Sequence, residues 1–264
     1  MRILITNDDG INAPGLKAAE AIAAELAGPD GEVWVVAPAW EQSAVSHCVS
    51  YVRPMRMEQW EEHRFIVEGS PADCVLAALG DIMEATPPDL VLSGVNRGHN
   101  VAEDTIYSGT IGGAMEGALH GIRSIALSQY YGPGNTRLPD TFEAARKWAV
   151  PICRALLDRA NWEDTGYQVF YNVNFPACPA AEVLGVRATF QGKRPSPTFK
   201  VQPAPAPNGR NYYWLTHGAK GNIGAEDGSD AREVHRGYCT VTPLRPDMTA
   251  RDQAAHLAGV VDGL

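Results

Sequence analysis

The chain of 264 residues has little that would place it in a membrane or in an oxidising compartment. No apolar run approaches the roughly 20 residues that span a bilayer, and the amino terminus enters a strand pattern without a signal peptide. The five cysteines are scattered, odd in number and without C-x-x-C spacing, which argues against a disulfide framework or a zinc site. We therefore expect a soluble, cytoplasmic protein with no membrane partner.

Basic stripes and dinucleotide-binding glycines are also missing. The net charge is −9, and no long run of Lys or Arg is present, so we predict no nucleic-acid polymer as a partner. The first strand ends in N-D-D-G at residues 7–10 and not in G-x-G-x-x-G, which counts against a nicotinamide or flavin enzyme. A small anionic substrate stays open, because a bound cation reverses the local field.

The amino-terminal residues have the pattern of an α/β protein. The short apolar run Ile3–Ile5 stops at a glycine turn, which is typical of a buried strand. Apolar residues at helical spacing follow as far as Gly28, and residues 32–37 form the next strand pattern. Strand, helix and strand within about 40 residues predict a right-handed βαβ unit.

Two adjacent carboxylates, Asp8 and Asp9, follow the first predicted strand. In open α/β sheets, ligands bind just beyond the carboxyl ends of the strands. Two neighbouring negative charges repel and are costly to desolvate, and a hard cation such as Mg²⁺ or Mn²⁺ would neutralise them. The alternative is an ordinary acidic turn in water, and position alone leaves both interpretations open.

Further polar residues follow other predicted strands. Ser43 lies in the loop after the second strand, and Asn96 follows the buried strand pattern 87–94, which ends in glycine. The segment 108–110, Ser-Gly-Thr, precedes a small-residue helix, whose free N–H groups and dipole would favour an anion. Two of these have a simpler explanation, since Ser43 is a common turn residue and Ser108 a common helix cap. Their convergence on one sheet edge favours metal-assisted phosphate-ester chemistry.

Five sequence blocks in this order resemble those of the SurE family (survival protein E) of metal-dependent 5′/3′-nucleotidases. The blocks are ILITNDDGINAPGL at 3–16, VVAP…QS at 35–43, EGSPADCV at 68–75, PDLVLSGVNRGHN at 88–100 and IYSGTIGGAMEGA at 106–118. The segments NVNFP at 172–176 and GYCTVTPL at 237–244 also fit, so the resemblance covers nearly the whole chain.

This resemblance implies a site and an activity. It implies one divalent cation per subunit, Mg²⁺ or Mn²⁺, and hydrolysis of nucleoside 5′- and 3′-monophosphates, with short polyphosphate as a further substrate of some members. Either of the two adjacent carboxylates would be the general base. The implied metal ligands are Asp8, Asp9, Ser43 and Asn96, and the implied phosphate-binding residues are Asn100, Ser108, Gly109 and Thr110.

The resemblance also implies an architecture. We expect a single domain over residues 1–264 with a three-layer α/β/α, Rossmann-like, mostly parallel sheet and a smaller carboxy-terminal extension. The core would comprise about residues 1–130 and 167–190. Residues from about 191 to 264 would form an arm exchanged between subunits of a homodimer or homotetramer.

The chain departs from the usual family pattern at several positions. Ala44 stands where glycine is usual, Arg97 and His99 where smaller residues are common, and Ser229 where threonine is usual. His99 or His47 would assist as a general acid, although a structural or surface role is the favoured explanation for each histidine. A rival function is a nucleotide or polyphosphate sensor that binds without turnover.

Overall fold

The computed structural model describes residues 1–163, 166–194, 199–217 and 225–262. The strands are β1 (Arg2–Thr6), β2 (Glu32–Pro38), β3 (Met57–Glu61), β4 (Arg64–Val67), β5 (Leu90–Arg97), β6 (Arg123–Gln129), β7 (Phe170–Phe175), β8 (Val186–Ala188), β9 (Phe199–Pro205), β10 (Asn211–His217) and β11 (Cys239–Leu244). The α-helices are α1 (Pro14–Ala27), α2 (Pro71–Ala77), α3 (Asp104–Tyr107), α4 (Gly109–Leu119), α5 (Glu143–Arg159), α6 (Asp230–His235) and α7 (Arg251–Val261). A π-helical turn follows α2 (Ala78–Ile82), and a 3-10 turn precedes β8 (Ala180–Glu182).

A nine-stranded sheet forms the centre of the protein, in the order β3-β4-β2-β1-β5-β6-β7-β11-β8. The neighbours from β4 to β7 are parallel, whereas β3 pairs antiparallel with β4 and β11 pairs antiparallel with β7. The predicted mostly parallel sheet is confirmed. Because the chain goes from β1 to β2 on one side and later returns to β5 on the other, the order reverses at β1 and β5, where a ligand crevice is expected.

Helices cover both faces of this sheet. Helices α1 and α5 pack together on one face, and α2 and α4 pack together on the other. The side chains of strand β1 are buried on both faces of the sheet. Ile3 and Ile5 are fully buried in one core, and Leu4 is fully buried in the opposite core. Successive strand residues point to opposite faces, so a continuous apolar run suits a strand with helices on both sides. This confirms the three-layer α/β/α prediction.

The carboxy-terminal region divides differently from the expectation. Strand β11 lies within the predicted arm region of residues 191–264, yet it pairs with β7 inside the main sheet. Strands β9 and β10 form a separate antiparallel hairpin, and Tyr213, Trp214 and Leu215 on it are 60–70% exposed. The part that leaves the sheet is therefore the hairpin 199–217 together with α7. In the described part of the chain, none of the helices combines the length and the apolar character that a membrane span requires.

Candidate metal and phosphate site

The N-D-D-G turn places two carboxylates at the end of β1. Asn7 is fully buried, and its side-chain Nδ2 donates a hydrogen bond to the Gly10 carbonyl oxygen at 3.0 Å. Gly10 has a φ of +93°, and a Cβ there would approach the backbone of Trp40 at 3.1 Å. Asparagine and glycine thus close the turn, and Asp8 and Asp9 between them both line a cleft.

Asp8 is buried and receives two hydrogen bonds from one residue. Only 5% of its surface is exposed. The Thr110 hydroxyl donates to Oδ1 at 2.6 Å, and the Thr110 backbone N–H donates to Oδ2 at 3.1 Å. Burial, followed by the neighbouring charge of Asp9, raises the pKa of Asp8 to about 7, while the two bonds from Thr110 oppose that rise.

Asp9 is held from the neighbouring strand. The backbone N–H of Arg97, the last residue of β5, donates to its Oδ2 at 2.8 Å. Burial raises the pKa of Asp9 above its usual value, the Arg97 amide lowers it, and the charge of Glu41 raises it again. A bound divalent cation would lower the raised pKa values of these two adjacent carboxyl groups, because its charge favours their ionised forms.

Ser43 and Asn96 line the same cleft and carry the remaining oxygen donors. The Ser43 hydroxyl donates to Glu41 Oε1 at 2.6 Å, so its oxygen lone pairs stay available. The Asn96 amide nitrogen donates to the Gly98 carbonyl oxygen at 3.0 Å, which leaves the amide oxygen for a cation. Among the described residues, no three His, Cys, Asp or Glu side chains are grouped so that they could hold a metal. The set is two carboxylates, an amide and a hydroxyl, and it fits a hard divalent cation.

The predicted phosphate-binding residues divide into two pairs. Asn100 and Ser108 line the cleft, whereas Gly109 and Thr110 do not. Ser108 caps α4 by accepting the N–H of Ile111 at 3.1 Å, and Thr110 directs both its donors to Asp8. A Cβ at Gly109 would lie 2.9 Å from the Asp8 Cβ. The start of α4 therefore supports the first carboxylate of the turn.

A buried amide network fixes Asn100. Its backbone N–H donates to Asn174 Oδ1 at 2.7 Å, and its side-chain amide donates to the Ser128 hydroxyl at 2.9 Å. Its carbonyl oxygen accepts from the amides of Asn172 and Asn174 on β7. These two asparagines are site-supporting residues that we did not predict, although their spacing on one strand face was a signal.

The cleft has a volume of about 790 Å³. A second group of polar and aromatic residues, which the sequence did not indicate, also lines it. They come from loops and helices distant in sequence, so no motif joins them. These residues are Glu41, Asp104, Tyr130, Arg194 and His235.

The two histidines proposed as general acids differ in position. His47 lies off the described cleft and bonds Glu116 at 2.5 Å through Nε2. His99 lines the cleft, but burial lowers its pKa to about 4. At neutral pH the His99 imidazole is therefore uncharged and carries no extra proton to donate.

Asp230 joins three backbone segments through hydrogen bonds. Its carboxylate accepts the backbone N–H groups of Ala102, Gly192 and Ala231, and burial raises its pKa to about 6. The preceding Ser229 caps α6 through its hydroxyl. Serine in place of the usual threonine therefore keeps the capping group.

Comparisons with known proteins agree with this architecture. The model of the family described as "Survival protein SurE" matches residues 3–197. The chain is 56% identical over 260 residues to "5′-nucleotidase SurE" of Roseobacter denitrificans, covering 98% of this chain and 99% of the relative. It is 56% identical over 252 residues to the protein of the same name from Ruegeria pomeroyi, covering 96% of each. The chain belongs to the SurE family. A crystal structure of the SurE protein from Aquifex aeolicus superimposes with a TM-score of 0.82 at 36% identity, covering 99% of this chain and 100% of the other.

The backbone conformation at residue 44 explains why glycine is usual at this position. Ala44, beside Ser43 in the cleft, has a φ of +58°, which lies in the left-handed region. Glycine adopts this conformation without penalty, whereas an L-residue pays about 1 kcal/mol or more. Alanine is therefore accommodated here with the left-handed backbone retained.

Thr110 offers a test of how Asp8 is held. A Thr110→Val variant loses the hydroxyl bond that favours ionised Asp8, so the Asp8 pKa rises further. Because a proton competes with a cation for this carboxylate, we expect Mn²⁺ affinity to fall by about 10-fold to 100-fold near pH 7. The fall in affinity on acidification should also begin at a higher pH than in the wild type.

The measurement is calorimetric titration of Mn²⁺ at several pH values. Thr110→Ser, which keeps the hydroxyl, is the matched control and should bind like the wild type. Equal affinity and equal pH dependence in Thr110→Val would contradict the supporting role of the threonine.

Proposed function

We propose that this protein is a metal-dependent phosphomonoesterase that hydrolyses nucleoside 5′- and 3′-monophosphates to nucleoside and phosphate, with short-chain polyphosphate as a further substrate. One observation carries the proposal: two adjacent carboxyl groups, both with raised pKa values, lie in a large cleft at the point where the strand order reverses. The nucleotidase names of the relatives support the substrate class.

In this proposal, Asp8, Asp9, Ser43 and Asn96 hold one divalent cation, Mg²⁺ or Mn²⁺. When bound, such a cation polarises a phosphoryl oxygen and stabilises the charge that develops on it. The residues around the cleft have separate tasks: Thr110 and the Arg97 amide orient the carboxylates, and Ser108 with Asn100 contacts the phosphate. Asp8 or Asp9 accepts the proton of the attacking water.

The arm and the oligomer belong to the same proposal. The core would comprise residues 1–130 and 167–190, joined by β11, with the exposed hairpin 199–217 and helix α7 exchanged between the subunits of a homodimer or homotetramer. The exposed aromatic and aliphatic side chains of the hairpin support this idea, because contiguous apolar surface is typical of contacts between chains.

The rival is a nucleotide sensor that binds without turnover. The test is phosphate release from 5′-AMP, 3′-AMP and tripolyphosphate, each with excess Mn²⁺ or Mg²⁺. We expect release from both nucleotides. Release from 5′-AMP alone would restrict the proposal to 5′-nucleotides, and absence of release from every substrate with either cation would favour the sensor.

A further inference from the structure

Three aromatic rings meet on one wall of the cleft. The His99 and Tyr130 ring centroids lie 4.4 Å apart with an interplanar angle of 9°, and those of Tyr130 and His235 lie 4.7 Å apart. All three side chains line the cleft. They come from the loop after β5, the residue after β6 and the end of α6, so the fold brings together three distant segments.

The two histidine rings do not sandwich the Tyr130 ring. The centroids of His99 and His235 are only 5.6 Å apart. If the histidines sandwiched Tyr130, their separation would be close to twice either of the other distances. The three centroids instead form a triangle, so the histidines do not enclose Tyr130 between them. The Tyr130 ring also packs against the buried apolar cluster that includes Val101 and Val234, and it still lines the cleft. The His235 side chain is itself exposed.

His99 is held as a neutral, oriented ring. Its Nδ1 lies 3.8 Å from the Asp104 carboxylate, and only 17% of its side chain is exposed. Arg194 bonds both oxygens of Asp104 through its guanidinium group and so fixes that carboxylate. Since burial holds the imidazole uncharged at neutral pH, this ring is suited to flat apolar contact and not to pairing with a phosphate.

We propose that His99, Tyr130 and His235 form the wall of the cleft that stacks against the nucleobase; this rests on the proposed function. A nucleotide has an anionic end and a flat aromatic end, and the cleft has a metal-ligand edge and an aromatic wall. His99 adjoins Asn100 in sequence, and Asn100 bonds Ser128, two residues before Tyr130. The wall therefore begins next to the predicted phosphate contacts. The volume of about 790 Å³ lies within the range of roughly 300–1,000 Å³ typical of small-ligand sites.

The other aromatic residues of the cleft serve as comparisons. The ring of Tyr131 lies beneath the Arg97 guanidinium at 5.2 Å and meets Phe142 at 5.8 Å. Tyr107 and Phe199 also line the cleft and meet edge to face at 5.1 Å. The latter pair is the competing platform, and a Tyr107 variant distinguishes the two locations.

The test compares a substrate that has a base with one that lacks it. Tyr130→Leu should raise KM for 5′-AMP by about 10-fold, the size expected when one base–aromatic contact is lost. The KM for ribose 5-phosphate and kcat for both substrates should not change. Tyr130→Phe keeps the ring and should match the wild type. His235→Ala, at an exposed position, should raise KM for 5′-AMP in the same direction, and it keeps the test valid if Tyr130→Leu fails to fold.

Several results would overturn the inference. They are an equal rise in KM for both substrates, no change in either, or a base-dependent rise in Tyr107→Leu alone. If the wild type hydrolyses neither substrate, the proposed function fails separately, and binding of adenosine measured by NMR then decides. Weaker adenosine binding in Tyr130→Leu but not in Tyr130→Phe would support the wall, whereas equal binding in all three proteins, or none in the wild type, would contradict it.

Discussion

Replacing Asp9 with asparagine should lower kcat/KM for 5′-AMP by at least about 100-fold, because one of the two charges that hold the cation is removed. The substitution is nearly isosteric, and the new amide oxygen can still accept the Arg97 N–H, so the loop geometry is preserved. Mn²⁺ affinity measured by calorimetry should fall together with activity. The fold should remain intact by circular dichroism.

Asp89→Asn is the matched control for this variant. The Asp89 carboxylate also accepts a backbone N–H, from Arg2 at 2.7 Å. Asp89 directly precedes β5, however, and so lies at the amino-terminal ends of the parallel strands, opposite to the cleft. Its replacement should change neither Mn²⁺ binding nor turnover. Full activity and full Mn²⁺ affinity in Asp9→Asn would contradict the assignment of Asp9 as a ligand.

Gly94→Ala should cause a large loss of stability. Gly94 lies in β5 with a φ of +133°, and a Cβ there would overlap the carbonyl oxygen of Leu127 on β6. The overlapped atom belongs to the backbone of a central strand, so the overlap cannot be relieved by moving a flexible side chain. We expect the free energy of unfolding to fall by more than about 3 kcal/mol, as measured by urea denaturation.

Gly80→Ala provides the comparison for the glycine variant. This glycine lies in the π-helical turn after α2, and a Cβ there would meet no heavy atom within 4 Å. Its effect should remain within about 1 kcal/mol. If both variants unfolded at the same urea concentration, close packing of β5 against β6 at Gly94 would not be the constraint that the structure indicates.

The sequence predicted elements that depend on local pattern. The apolar run before Asp8 could be recognised as a central strand because helices bury both of its faces. The polar residues that follow β1 and β2, and Asn96 near the end of β5, could be assigned to one edge because parallel strands share a direction. Local contacts such as the capping box of Ser70 and Asp73 at the start of α2 join residues only three positions apart.

Features that depend on contacts between residues far apart in sequence could not be predicted in this way. The support of Asp8 by Thr110 joins residues that are 102 positions apart, and the aromatic wall joins three loops and helices. The return of β11 to the main sheet after the hairpin also depends on a distant contact, its pairing with β7. Ala44 illustrates a subtler case, since its left-handed backbone is visible only in the structure.

The central claim is that the carboxylates at the end of β1 act through a bound divalent cation. The most direct test is phosphate release from 5′-AMP by the wild-type protein, first stripped with EDTA and then supplied with Mn²⁺ in excess of the chelator. We predict no release above background in EDTA and recovery of activity on addition of Mn²⁺. An equal rate before and after chelation, with metal removal verified by elemental analysis, would contradict the account.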